Sequence, residues 1–247
     1  MPEVPLLSGV EVSAGYGDLV AVEGLSVALA EGTLLGVIGP NGAGKSTLLR
    51  ALTGVVPLRA GRVVWRGIDI GSMPPDARAR KGIAMVQEGR RLFPSLTVRD
   101  NLELGAFRAD RAERRERERE VVELFPALDD ILDRPAAVLS GGEQQMVAVG
   151  RALMSRPTCL LVDEPSLGLA PFIIDEIYRT LPLLIDRGMS IILVEQEVGR
   201  VLGVADHLVV LHEGRKVYDG DGSEFRGDPD ALAAVYLGHT LDERTAG

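Results

Sequence analysis

Two runs far apart in the chain carry the residue types for handling a polyphosphate. The first is Gly39-Pro-Asn41-Gly42-Ala-Gly44-Lys45-Ser46-Thr47, a Gly-x-x-x-x-Gly-Lys-Ser pattern. In that spacing the glycines let backbone N–H groups turn inward around phosphate oxygens. The helix that follows offers the positive end of its dipole. Lys45 is placed to reach the β- and γ-phosphates as a point charge, Ser46 to coordinate Mg²⁺ through its hydroxyl, and Thr47 to bond the α-phosphate. The second run is Cys159-Leu-Leu-Val-Asp163-Glu164, an apolar strand that ends in two acids. At a strand tip near the phosphate loop, Asp163 can hold Mg²⁺ through water and Glu164 can polarise an attacking water. Gln87, after the apolar run Ile83–Val86, has an amide oxygen able to touch the same metal or water. Between them lies Leu139-Ser140-Gly141-Gly142-Glu143, with Gly142 standing 21 positions before Asp163. Ser140 followed three residues later by Glu143 is a capping box for a helix.

The elements that must position these groups follow from periodicity. Residues 4–13 and 25–30 alternate apolar and polar positions as strands do, with a tight turn at Gly15-Tyr-Gly-Asp18. Leu34–Ile38 is a buried strand running into the phosphate loop, and Lys45–Leu52 reads as a helix stopped by Gly54 and Pro57. Strands are expected at 62–65 and 83–86, with a short helix between them that starts at Pro74-Pro75 and carries Arg78, Arg80 and Lys81. Residues 89–137 lack short apolar strands and read as helices, one of them capped by Thr97. After Ser140 the rhythm returns: helix 143–154, strand 159–163, helix 172–186, strand 190–194, helix 197–203, and strands 207–212 and 215–219. Such alternation predicts an α/β fold with a mainly parallel sheet covered on both faces. The last residues, 238–247, are polar and expected to fray.

Composition narrows the class. A chain of 247 residues, 46% of them apolar, fits one large domain or a core with a subdomain. Aromatics at 4% and a net charge of −9 argue against nucleic-acid binding, which needs stacking platforms and basic stripes. Residues 108–120 hold six arginines and five acids, a near balance that reads as a solvated helix laced with ion pairs. The lone Cys159, inside an apolar run, suits a buried thiol in a reducing compartment. No apolar run approaches the roughly 18–20 residues of a membrane span, and Met1-Pro-Glu-Val-Pro lacks a secretory n-region. The expectation is a soluble protein that meets a membrane only through a partner.

With these residues in view, the chain resembles the ATP-binding subunits of ABC transporters over nearly its whole length. The resemblance implies a P-loop NTPase fold of ABC type: a mainly parallel sheet, an antiparallel β portion and an inserted α-helical subdomain. Residues 1–88 and 138–237 would form the core and 89–137 the insertion. Ser140, Gly141, Gly142 and Glu143 match the family's signature, which in a head-to-tail dimer clamps the γ-phosphate of ATP held by the opposite chain. Tyr16 sits where an aromatic ring stacks on adenine. Gln87 matches the loop that senses Mg²⁺ and touches the membrane subunit, and Ser166–Ala170 the loop that crosses the dimer interface. Gln196 stands where many members have a histidine, and an amide carries neither proton nor charge to a γ-phosphate. Glu164 must then activate water without an imidazole.

Gln87-Glu-Gly-Arg-Arg-Leu-Phe-Pro-Ser-Leu-Thr-Val, Gly168-Leu-Ala-Pro and Val194-Glu-Gln are similar to the branched-chain amino acid importer ATPases of the LivF kind. That similarity implies ATP and Mg²⁺ as cofactors and a second ATPase subunit, a sister chain or a second copy. It also implies integral membrane permease subunits, an extracytoplasmic solute-binding protein reached indirectly, and a place on the cytoplasmic face of the inner membrane. Phe93–Leu96 would border the groove for the permease. A urea or amide importer of the same subgroup and an exporter half are the alternatives. Leu139 follows Thr47 by only 92 positions, which leaves no room for the long coiled coil of a chromosome-associated ATPase, and one ATPase unit per chain disfavours a translation factor.

Overall fold

Residues 4–225 are described by a computed structural model, in which the strands form two sheets. In chain order the elements are β1 (Leu7–Tyr16), β2 (Leu19–Leu29), β3 (Leu34–Ile38), α1 (Lys45–Leu52), β4 (Leu58–Trp65), β5 (Ile68–Asp69), α2 (Pro75–Arg80) and β6 (Ile83–Val86). Then come α3 (Val98–Gly105), α4 (Arg111–Leu124), two 3-10 turns (Pro126–Ile131 and Ala136–Val138), α5 (Gly141–Leu153) and β7 (Cys159–Asp163). The described chain ends with α6 (Pro171–Asp186), β8 (Ser190–Glu195), α7 (Val198–Leu202), β9 (His207–His212), β10 (Arg215–Gly220) and a last 3-10 turn, Gly222–Phe225. The polar tail at 238–247 and the end of the expected core lie outside the described residues.

The larger sheet runs β10-β9-β3-β8-β7-β6, parallel except at β10–β9. Its central strands β3, β7 and β8 are buried at every position because both faces are covered. Alternation sorts their side chains into two cores. Leu34, Ile38, Leu160, Val162, Ile191 and Leu193 face the helices α3, α5 and α6. Leu35, Val37, Leu161, Ile192 and Val194 face α1 and the second sheet. That second sheet, β2-β1-β4-β5, is antiparallel throughout.

Strand extents differ from expectation where one face is half-solvated. β1 runs on to Tyr16 and β2 starts at Leu19, so the turn is Gly17-Asp18 and the first half of the expected 15–18 turn is strand. Register shifts in β1 break the alternation on which the sequence estimate relied. β4 begins at Leu58 rather than 62, and the two-residue β5 carries no pattern of its own. α5 begins at Gly141, two residues early, because Ser140 is its N-cap.

Between β6 and β7 all elements are helical. Thr97 and Asp110 cap α3 and α4, each through a reciprocal capping box. The arginine-rich α4 is laced by ion pairs: Arg99 with Glu118, Arg156 with Glu116 and Glu120, and Arg114 with Glu103.

One buried charge fixes α1 from behind. Arg78, 2% exposed on α2, donates through Nη1 to the carbonyls of Ala51 and Leu52 at the C-terminal end of α1. Its Nε and Nη2 donate to the carbonyls of Met73 and Gly71. The guanidinium thereby adds donors and a positive charge at the carbonyl end of α1, where the Ala51 carbonyl also accepts from Gly54 N–H. Arg78→Ala should lower unfolding stability by at least about 3 kcal/mol, since it strands several buried acceptors. Urea denaturation checks this, and a loss under about 1 kcal/mol would mean that water replaces the guanidinium freely.

Candidate nucleotide site

The phosphate loop leaves β3 and enters α1 without a side-chain cap. Gly44, at φ 96°, takes the cap position, and a Cβ there would lie 2.5 Å from the Ala21 carbonyl oxygen. Only glycine fits. Asn41 and Gly42 are exposed at the tip of the loop, whereas Lys45 and Thr47 are buried. The Lys45 ammonium folds back into its own loop, donating to the Gly39 carbonyl at 2.8 Å and the Pro40 carbonyl at 3.1 Å. It also pairs with Glu164 Oε1 at 3.1 Å.

The acid pair reaches the loop through sheet register. Val194 pairs with Asp163, and Glu164 N–H donates to the Val194 carbonyl at 2.9 Å. Asp163 lies on the α1 side, the same face as Cys159 and Leu161. Its Oδ1 accepts from Ser46 Oγ at 2.8 Å, and its Oδ2 is buried without a hydrogen-bond partner. Burial pushes the Asp163 carboxyl above the ordinary carboxylate range, which the Ser46 hydrogen bond only partly offsets. Glu164 adopts a left-handed backbone at φ 46°, uncommon for a residue with a Cβ.

Among the other candidates, Val86 pairs with Val162, which sets the exposed Gln87 beside Asp163. The exposed Gln196 follows β8 in register with the loop after Ile38. Tyr16, at the end of β1, is exposed, and its hydroxyl accepts from Arg50 on α1 at 2.9 Å. Ser140 and Glu143 make the expected capping box: Ser140 N–H donates to Glu143 Oε2 at 2.6 Å, and Glu143 N–H to Ser140 Oγ at 3.3 Å. Hydrogen bonding of the Glu143 carboxylate by the Ser140 side chain and backbone N–H holds it below its usual range. Gly141 is half-buried, and Gly142 is buried with a Cβ position under 3 Å from Ile173 of α6. Among the described residues no hydrogen bond links this turn to the phosphate loop or to Asp163–Glu164. Cys159 is buried, and burial pushes its thiol far above the ordinary range.

Two charged residues escaped the sequence reading. Arg78 had no signal beyond its place in a short helix. Glu195 did have one: it ends an apolar strand, as Asp163 does. It is 1% exposed, accepts from Ser166, Tyr178 and Gln196, and has its carboxyl pushed up by burial.

A cradle of this geometry after β3, with an acid pair two strands away, has many counterparts. The ABC transporter family model matches residues 22–167. The chain belongs to the ABC transporter ATP-binding family. It is 43% identical over 233 residues to the high-affinity branched-chain amino acid transport ATP-binding protein BraG of Pseudomonas aeruginosa, covering 94% of this chain and all of that one. It is 36% identical to a probable branched-chain amino acid transport ATP-binding protein, LivF, of Archaeoglobus fulgidus, over 89% of this chain and 93% of the relative. A crystal structure of a nucleotide-free ATP-binding cassette from an ABC transporter superposes with a TM-score of 0.84 at 28% identity, covering 95% of this chain and all of that one. The ABC-type fold and the role of an ATP-hydrolysing importer subunit, expected from the motifs, agree with these relatives. No helix among the described residues is long and apolar enough to cross a membrane.

The lone Asp163 oxygen gives a pH test. Its raised native pKa means that the folded protein retains a proton that the unfolded chain has released. Stability is therefore lost as pH rises from about 4 through the raised native value. Asp163→Asn keeps an acceptor for Ser46 and removes the buried charge. In the nucleotide-free protein it should raise the thermal midpoint at pH 7, with a difference that shrinks toward pH 4. A lower midpoint for the variant at neutral pH would refute the assignment.

Proposed function

We propose that the chain energises uptake of branched-chain amino acids by binding and hydrolysing ATP–Mg²⁺ between two ATPase subunits. The observation that carries the hydrolytic reading is the conjunction of Lys45, Ser46, Asp163 and Glu164 within direct hydrogen-bond or ion-pair contact. The full-length 43% relative supports the choice of solute.

In this reading the loop N–H groups and the α1 dipole bind the β- and γ-phosphates, with Asn41, Gly42 and Gly44 shaping the cradle and Thr47 at the α-phosphate. Tyr16 stacks on adenine. The partnerless Asp163 oxygen and the Ser46 hydroxyl suit Mg²⁺, which takes one or two protein oxygens beside phosphate and water. Bound there, Mg²⁺ supplies charge neutralisation of the β- and γ-oxygens. Lys45 exchanges Glu164 for phosphate, which frees the Glu164 carboxylate to accept a proton from the attacking water. Gln87 and Gln196, at the ends of the two strands that flank β7, orient that water and the γ-phosphate through hydrogen bonds of their side-chain amides. Positioning and charge carry most of the catalysis.

Ser140, Gly141, Gly142 and Glu143 act on the nucleotide of the opposite subunit, which fits their lack of bonds to this chain's own loop. Residues 89–137 form a helical subdomain that moves on the core residues 1–88 and 138–237, with Gln87 at the hinge. The exposed Phe93, 54% accessible, borders the surface for the permease. The assembly sits on the cytoplasmic face of the inner membrane and receives solute from an extracytoplasmic binding protein.

Proteoliposomes carrying the purified transporter test the solute. Leucine presented with its binding protein should stimulate ATP hydrolysis, and stimulation by urea in its place would move the chain to the urea or amide branch. Glu164→Gln should keep ATP affinity and slow turnover by about 100-fold or more, the scale of a lost general base. Gln196→Ala should cost less. Equal losses would make the amide essential. Lys45→Ala should abolish tight binding of a fluorescent ATP analogue, and unchanged affinity would remove Lys45 from the phosphate site.

A further inference from the structure

We propose that Glu195 is a positioning residue for hydrolysis, tying the loop that carries Glu164 to the loop that carries Gln196. The inference rests on the hydrolytic reading above. Glu195 ends β8 on the face of Ile191 and Leu193, directed at α6 rather than at the nucleotide cradle. An apolar side chain would fill that place. The carboxylate is instead saturated with hydrogen bonds. Its Oε1 accepts from Ser166 N–H at 3.0 Å and from the Tyr178 hydroxyl at 3.1 Å. Its Oε2 accepts from Ser166 Oγ at 2.9 Å and from Gln196 N–H at 3.2 Å. The nearby Arg200 guanidinium lies over the Tyr178 ring at 6.0 Å but pairs with Asp175 and Glu197. Glu195 is thus a hub of neutral donors.

Those donors lie on both sides of the reaction. Glu164 sits in a left-handed conformation, fixed on its N-terminal side by its N–H bond to the Val194 carbonyl. Pro165, which follows, has no N–H to anchor the chain. Ser166 supplies the first backbone donor after Glu164, and Glu195 takes it. The same carboxylate holds the N–H of Gln196. One buried group therefore sets the conformation of the water-activating residue and the start of the loop opposite. A carboxylate suits the task because both its oxygens only accept. An amide here would turn an NH₂ toward at least one backbone N–H.

The test uses the transporter complex with ATP hydrolysis as readout, and Glu164→Gln measured in parallel. Glu195→Ala should lower kcat by about tenfold or more, on the scale of a misplaced catalytic group. Affinity for a fluorescent ATP analogue should change less than about twofold, because Glu195 does not face the cradle. Glu195→Gln should recover part of kcat, and Ser166→Ala, which keeps the backbone donor, should cost less than Glu195→Ala. If Glu195→Ala fails to assemble, the kcat and affinity of Glu195→Gln decide. Wild-type kcat in the alanine or glutamine variant, or a parallel loss of kcat and affinity, would overturn the proposal. Normal turnover in Glu164→Gln would overturn the hydrolytic reading itself. Loss there with normal turnover in the Glu195 variants would overturn only the tether.

Discussion

Parallel pairing in the larger sheet is the constraint on which the site depends. Ile38 pairs with Glu195, Val194 with Asp163, and Val162 with Val86. The C-terminal ends of β3, β8, β7 and β6 therefore stop at one edge. The loops that leave them carry the phosphate cradle, Gln196, the acid pair and Gln87. These residues are up to about two thirds of the chain apart in sequence, from Gly39 to Gln196, and no local signal joins them. A parallel ladder does, because each strand must return through a helical crossover and start again from the far edge.

Alternation along those strands then decides what each acid can do. Asp163 shares the face of Cys159 and Leu161, so it points at α1 and meets Ser46. Glu195 shares the face of Ile191 and Leu193 and meets α6. Two carboxylates near the same edge thus have opposite surroundings. Asp163 has one oxygen left without a partner. Glu195 has both oxygens saturated by donors. Both carboxyls are pushed up by burial. Only the first still requires something from outside the chain.

Much of this was legible because its signals are short-range. The phosphate loop is a contiguous pattern, and β6, β7 and β9 fall on the apolar runs that predict them. Ser140 and Thr97 announce helix starts through residues three places on. The antiparallel sheet was less legible. β1 and β2 are long, half-solvated and interrupted by register shifts, so their period fades where the strands continue. Arg78 and Glu195 were illegible for a different reason. A buried ion is recognisable only by its partners, and the carbonyls of α1 and the Ser166–Tyr178 pair lie in other elements.

The site also explains how a chain of net charge −9 can accept a polyanion. Net charge acts over a screened distance of about 8 Å at physiological salt, whereas a cradle of N–H dipoles and one ammonium acts at contact. The ammonium of Lys45 contacts two carbonyls and Glu164. Phosphate oxygens must outcompete those partners, and the carboxylate they displace stays beside them. Under the proposed reading that leaves two acids, Asp163 and Glu164, facing a triphosphate. A divalent cation arriving with the nucleotide resolves the repulsion, and the partnerless Asp163 oxygen stands where such a cation has most to gain. Under that reading a need for a cation follows from the same acids that are proposed to carry hydrolysis.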